Sequence, residues 1–355
     1  MRGHLMRRDL RIGPRTATLR MPALLAALLL VACDRQAQTA AADASSAAAV
    51  TSESAAPTDS KTTAQTGRIV IAAQFDEGGI FSEGLAAVRN GPRFGYIDTS
   101  GKIAIPSQFD FATPFSEGLA AVGIGSKYGY IDAQGKFVIT LQFAAANLVA
   151  FSEGLAAVRV GEFLTGKWGF IDKQGKLVIE PQFDSAGSFA GGLAVAAIDG
   201  KWGYIDKQGK FAIAPQFTSA GTFSDGLASV RVGDFLDGKN GYIDRSGKFV
   251  IEPQFDSAFP FRDGLADVGI GDQYGFIDKQ GNFVIDPQFD FADSFSNGLA
   301  AVRNGDAGKY GFIDKQGKVV IAAQFDFADL FSVSDGLAAI RVGDEQTGKY
   351  GYIGR

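Results

Sequence analysis

The residues able to do chemistry are few, and they sit in unusual places. The only histidine, His4, and the only cysteine, Cys33, both lie near the N-terminus. A chain processed at Cys33 keeps no histidine, which excludes Ser–His and Cys–His catalysis and His-ligated metals. A single cysteine also excludes an intramolecular disulfide. Carboxylates remain, with 39 Asp and Glu in all. Two of them about 5–10 Å apart could act as acid and base on a polysaccharide. No pair stands out, because most acids recur at a fixed period or occupy turns. No catalytic residue, metal ligand or cofactor is assigned.

Arginine is the other candidate. Arg89, Arg159, Arg231, Arg303 and Arg341 end the same expected strand in units one, three, five, seven and eight of a repeat, where units two, four and six carry Gly123, Ala197 and Gly269. Arginine is suited to bidentate recognition of carboxylate or phosphate. The competing reading pairs each arginine with an acidic neighbour such as Glu162, Asp234 or Asp344. Phe163 and Phe235, each followed by Leu, stand in expected loops that are long in units three, five and eight. They are contact points for a partner or fold back on the core.

The first 66 residues carry an address and a tether. Residues 1–20 are rich in Arg, and residues 21–32 form an apolar run too short to span a bilayer. This reads as an export signal over residues 1–32, with Met1 or Met6 as the start. Leu30-Val31-Ala32-Cys33 resembles the bacterial lipobox, which implies acylation of Cys33 and a lipid anchor in the cell envelope. The alternative is an ordinary signal peptide with a chance cysteine. Asp34 resembles an inner-membrane retention signal, so the choice of membrane stays open. Residues 33–66 are Ala, Ser and Thr with almost no large apolar group, a flexible spacer of about 30 Å. Loss of residues 1–32 removes six Arg and one Asp, so the already acidic chain, at net −5, becomes more acidic. Phosphate backbones need a basic face, so nucleic acid is not an expected partner.

Residues 67–355 are self-similar. Gly-Tyr/Phe-Ile recurs at Gly95, Gly129, Gly169, Gly203, Gly241, Gly275, Gly311 and Gly351. Gly-Leu recurs from Gly84 to Gly336. A period of 34 to 40 residues signals a repeat architecture. In the unit from Phe170 to Ala197, two short β-rich runs flank a turn from Asp172 to Gly175. An irregular connection follows, then a third strand, Leu-Ala-Val-Ala-Ala-Ile. Each unit is expected to be a three-stranded antiparallel meander. Two Phe columns, from Phe75 to Phe325 and from Phe81 to Phe331, are expected to form the core that fuses neighbouring units rather than ligand platforms.

Lys167-Trp168-Gly169-Phe170-Ile171-Asp172-Lys173-Gln174-Gly175 and Lys201-Trp202-Gly203-Tyr204-Ile205-Asp206 resemble the WG, or KWG, repeat. Elsewhere Phe94, Tyr128, Tyr274, Tyr310, Tyr350 and once Asn240 replace the Trp. The resemblance covers residues 68–353. It implies an all-β repeat protein, often exported, with no family catalytic residues to carry over.

The phase of the array bears on its shape. Ile69-Val70-Ile71 matches the second strand of a hairpin whose first strand is missing. Tyr350 to Ile353 matches a first strand whose second is missing. Meeting of the two ends would complete every hairpin and remove two apolar edges. A closed, propeller-like ring of eight units is therefore favoured slightly over an open β-solenoid or superhelix. The expected function is a non-catalytic binding scaffold for an envelope protein or a glycan, on the periplasmic face of a membrane. The alternative is the carboxylate enzyme acting on envelope polysaccharide.

Overall fold

The computed structural model describes residues 67–143, 150–161, 165–234, 237–305, 308–332 and 335–354. The signal segment, Cys33 and the tether lie outside the described residues, as do Glu162, Phe163 and Phe235. Within the described residues the chain is all β, without helix. Eight antiparallel sheets follow one another as an eight-bladed β-propeller. Seven sheets have four strands among the described residues, and the sheet of residues 155–183 has three.

The expected three-stranded unit is corrected in two respects. A further strand precedes the Gly-Leu strand, as short as Glu77–Gly78 or Phe111–Ala112 and as long as Ser185–Ala190. The phase also differs. Leu193–Ile198 pairs with the strand that follows it, Lys201–Ile205, and so opens the next sheet rather than closing the previous one. The cause is the turn before each Gly-Leu strand. Glu83 and Gly84 both have positive φ, 55° and 81°, and Ser82 and Leu85 exchange backbone hydrogen bonds of 2.9 and 3.1 Å. Two central residues at positive φ make the two-residue hairpin whose twist suits antiparallel strands. Blade 1 thus runs Glu77–Gly78, Leu85–Asn90, Arg93–Asp98, Ile103–Phe109, with neighbours hydrogen-bonded in that order.

The glycine that recurs in each copy has a steric explanation. A Cβ on Gly169 would lie 2.5 Å from the carbonyl oxygen of Ile179 and 2.9 Å from the nitrogen of Pro181. The register shifts there, since Trp168 faces Phe183 while Phe170 faces Ile179. Such a bulge brings the two backbones together where only hydrogen fits. The turn that follows is as expected. The Asp98 carboxylate accepts from the amides of Ser100 (2.9 Å) and Lys102 (3.0 Å), and the Gly101 amide donates to the Asp98 carbonyl.

The Phe columns are core. Phe109, Phe183, Phe151 and Phe189 have no exposed surface. At every junction a ring of the second column meets a ring of the neighbouring blade: Tyr96 with Phe115 at 5.0 Å, Tyr130 with Phe151 at 4.8 Å, Phe312 with Phe331 at 5.0 Å. Tilted and edge-on pairs of this kind add to the burial itself.

The ends meet. Arg68–Phe75 pairs antiparallel with Lys349–Gly354, placing Ile69 opposite Ile353 and Ile71 opposite Tyr352. The last blade is built from both termini of the array, and the open solenoid is ruled out. The last strand of each blade is a sheet edge whose exposed positions alternate with half-buried and buried ones. Pro106, Pro181, Pro215, Pro253 and Pro287 interrupt five of these edges, which blunts edge-to-edge pairing.

Candidate functional site

Strand order gives the ring two unlike faces. One carries the turns before the Gly-Leu strands and the Asp-to-Gly turns. The other carries the loops after the Gly-Leu strands and the connections between blades. On the turn face the acids act as staples. Glu117 accepts from the Gly154 amide of the next blade at 3.1 Å and pairs with Lys173 at 3.0 Å. Glu153 repeats this with Gly192 and Lys207, and Asp225 with Gly264 and Lys279. In blade 4 Gly191 replaces the acid, and Arg245 donates to its carbonyl at 2.8 Å.

The loop face has its own staple. Four of the connecting Asp residues face two blades with one amide and one lysine each. Asp256 accepts from the Gly271 amide at 2.9 Å and pairs with Lys239 of the preceding blade. Asp184 does the same with the Asp199 amide and Lys167, Asp326 with Gly343 and Lys309, and Asp76 with Gly91 and Lys349. Lysine hydrogen bonds, then the backbone amides, hold these four carboxyls below the usual carboxylate range.

The arginine row lies on this face, and the structure divides it. Arg159 donates to the Gly166 carbonyl of its own loop at 3.1 Å, and Arg231 to the Asp256 carbonyl of the next connection at 3.2 Å. Arg89 pairs with Glu77, its cross-strand neighbour. The expected partner Asp344 instead closes its own loop, accepting from Gln346, Thr347 and the Thr347 hydroxyl at 2.7–2.8 Å. Arg303 and Arg341 form no ion pair among the described residues; their Nε atoms, like those of Arg89 and Arg231, are buried without a hydrogen-bond partner, and Arg341 interacts with the Tyr350 hydroxyl and, electrostatically, with Asp326.

Ring closure decides where these residues fall. It makes blade 1 the neighbour of blade 8, so Arg303, Arg341 and Arg89 occupy three consecutive blades. Each stands in a three-residue rung across its sheet. The rungs are Phe291–Arg303–Tyr310, Phe327–Arg341–Tyr350 and Glu77–Arg89–Phe94. The Arg303 guanidinium carbon lies 5.3 Å from the Tyr310 ring centre. That of Arg341 lies 6.0 Å from Phe327 and 5.9 Å from Tyr350. These are cation–π distances. The rings also touch one another, Phe291–Tyr310 at 5.3 Å, Tyr310–Phe327 at 5.8 Å and Phe327–Tyr350 at 5.7 Å. In blade 5 the rung is Ser219–Arg231–Asn240, without a ring. Asn240 donates to the carbonyls of Phe255 and Asp256 instead.

The profile of the WG containing repeat matches this chain eight times, over residues 65–91, 94–128, 128–162, 168–202, 202–234, 241–274, 274–307 and 310–353. The chain belongs to the WG containing repeat family. Among curated proteins none matches its sequence. Among solved structures it is similar to a eukaryotic initiation factor, with 13% identity and a TM-score of 0.53 over 81% of this chain and 87% of that one. That likeness concerns the fold alone. PorZ of Porphyromonas gingivalis, an essential bacterial surface component of the type-IX secretion system, matches at 10% identity and a TM-score of 0.43. The match covers 78% of this chain and 42% of PorZ.

Alignment of the WG repeats exposes a second group that the sequence reading missed. Asp267 occupies a column otherwise filled by Ala87, Ala121, Ala157, Val195, Ser229, Ala301 and Ala339. It is 1% exposed, as is Asp293 in the next blade. Ser294 lies between them, its hydroxyl donating to Asp267 at 2.8 Å and its amide to Asp293 at 2.8 Å. Arg262, also buried, stands where most other repeats have a serine that donates to the next blade's Phe carbonyl. The signal was available in the columns: a charge standing where other copies carry a small residue.

Proposed function

We propose that this WG-repeat propeller is a non-catalytic binding module. It is held to a membrane of the bacterial envelope through acylated Cys33 and engages an envelope protein or glycan through its loop face. One observation carries the reading. The acids of both faces, and Arg89, Arg159 and Arg231, serve to join strands, loops and blades, whereas Arg303 stands beside the buried ring of Tyr310 and Arg341 beside the half-buried rings of Phe327 and Tyr350, with no ion pair to either among the described residues. Structural duties account for the former and leave the latter available. The test is crosslinking from the membrane side in intact cells, followed by recovery of the full-length lipoprotein. A specific partner lost in a Cys33→Ala chain supports the reading. Recovery of nothing above an unrelated lipoprotein control removes it.

One observation favours the carboxylate enzyme as a second reading. Asp267 and Asp293 are buried, bridged by Ser294 and outside the repeat pattern. If they act as acid and base, envelope polysaccharide is cleaved by the full-length protein and not by Asp267→Asn.

A further inference from the structure

We propose that the adjacent rungs of blades 7 and 8 form a binding site for an acidic polysaccharide, recognised through the carboxylates of its uronic acid residues. The inference rests on the binding-module reading and deepens it. The protein contains an occupied version of the recognition it requires. In blade 1 the carboxylate of Glu77 lies against Arg89, which also stacks over Phe94 at 5.9 Å. In blades 7 and 8 the residue corresponding to Glu77 is Phe291 or Phe327. The guanidinium is kept and its cross-strand carboxylate is absent, which leaves that position open to an acid from outside.

The surroundings reinforce this. Asp290 and Asp326, the nearest connecting acids, face the amides of Gly305 and Gly343, and Asp326 also holds Lys309. Asp326 also acts electrostatically on Arg341, but neither it nor Asp290 forms an ion pair with Arg303 or Arg341 among the described residues, although the chain as a whole is acidic. Phe327 and Tyr350 beside Arg341 are half-buried, and Phe291, opposite Arg303 in its rung, is half-buried too, while Tyr310 is buried. A sugar acid presents C–H groups on its ring and a carboxylate at its edge, and an alternation of aromatic ring and guanidinium matches both. The rungs are one ring contact apart, because Phe327 touches both Tyr310 and Tyr350. Two carboxylates on one saccharide chain can therefore be held together, which favours a polymer over a single sugar.

The test uses the full-length protein in detergent and titration calorimetry with three probes: oligogalacturonate, neutral dextran and poly-glutamate. Binding of oligogalacturonate alone, weakened by salt, is the expected result. The double variant Arg303→Gln/Arg341→Gln should weaken it by about tenfold or more, and the Lys pair by less, since Lys keeps the charge without the fork. Arg89→Gln should leave it unchanged. Glu77→Gln, which frees the third guanidinium, should tighten it. Circular dichroism of each variant separates loss of the site from loss of the fold. Equal binding of poly-glutamate would assign the rungs to an acidic peptide and overturn the saccharide. Unchanged affinity in a folded double variant would overturn the site. If no probe binds while crosslinking still recovers a partner, the site fails and the binding-module reading stands.

Discussion

The hydroxyl of Tyr352 donates to the carbonyl of Gly79 at 2.8 Å, joining residues 273 apart in the chain. The Tyr352 ring also meets Phe81 at 4.8 Å. The junction between the last and first blades is thus built like the internal ones, where Tyr96 reaches the Thr113 carbonyl and Tyr204 that of Gly221, each at 2.8 Å. A chain with no disulfide closes its ring by the same contact that joins any two repeats.

Closure should be measurable as stability. Tyr352→Phe keeps the ring contact and strands the Gly79 carbonyl, a cost of about 1–3 kcal/mol. Ile71→Ala opens the buried side of the closing strand and should cost about 2–5 kcal/mol. Urea unfolding of the full-length protein gives both values. Equal midpoints for wild type and Ile71→Ala would mean that the ends do not pair.

Two glycines one strand apart should respond differently to alanine. At Gly169 the new methyl meets backbone on the opposite strand at 2.5 Å. The strands must move, at a cost of about 3 kcal/mol or more. At Gly154 nothing lies within 4 Å, and only the φ of 82° opposes a side chain. The cost there should be about 1 kcal/mol. Thermal unfolding of the two variants ranks them, and the reverse order would contradict the bulge.

Stability should fall at both ends of the pH scale. The carboxyls of Asp76, Asp184, Asp256 and Asp326 are held low in the folded state by their lysines. Their contribution is full above the unfolded carboxylate pKa of about 3.9, and it is lost as pH falls through the lower folded values. Asp256→Asn should flatten part of that acid limb. Burial pushes the hydroxyls of Tyr130, Tyr204 and Tyr352 far above 10.0, their ordinary value. A raised folded pKa gives stability that is complete below about pH 10 and lost above it. Spectrophotometric titration should therefore find these three phenols ionising only together with unfolding, and ionisation of the folded protein near pH 10 would refute their burial.

The composition and period of this sequence determined its repeat number, its all-β class and its aromatic core, and made a closed ring slightly the better reading. Each of those follows from signals local to one copy: Asp and Gly four apart in a turn, a Phe at a fixed place, and an incomplete hairpin at each terminus. The short first strand of each blade was not legible in the same way. Its shortest version is two residues long, and it lacks the β-branched alternation that marks a strand. The Glu83-Gly84 type of dipeptide before seven of the eight Gly-Leu strands was the available clue, because positive φ at both positions makes a hairpin. What an arginine does was decided only in three dimensions. Arg89 and Arg303 look alike in sequence, but one faces Glu77 and the other Phe291, because pairing register chooses each cross-strand neighbour. Ring closure then gathered Arg303, Arg341 and Arg89, residues from opposite ends of the array, into one sector. No local pattern encodes that, since the adjacency exists only after Arg68–Phe75 has found Lys349–Gly354.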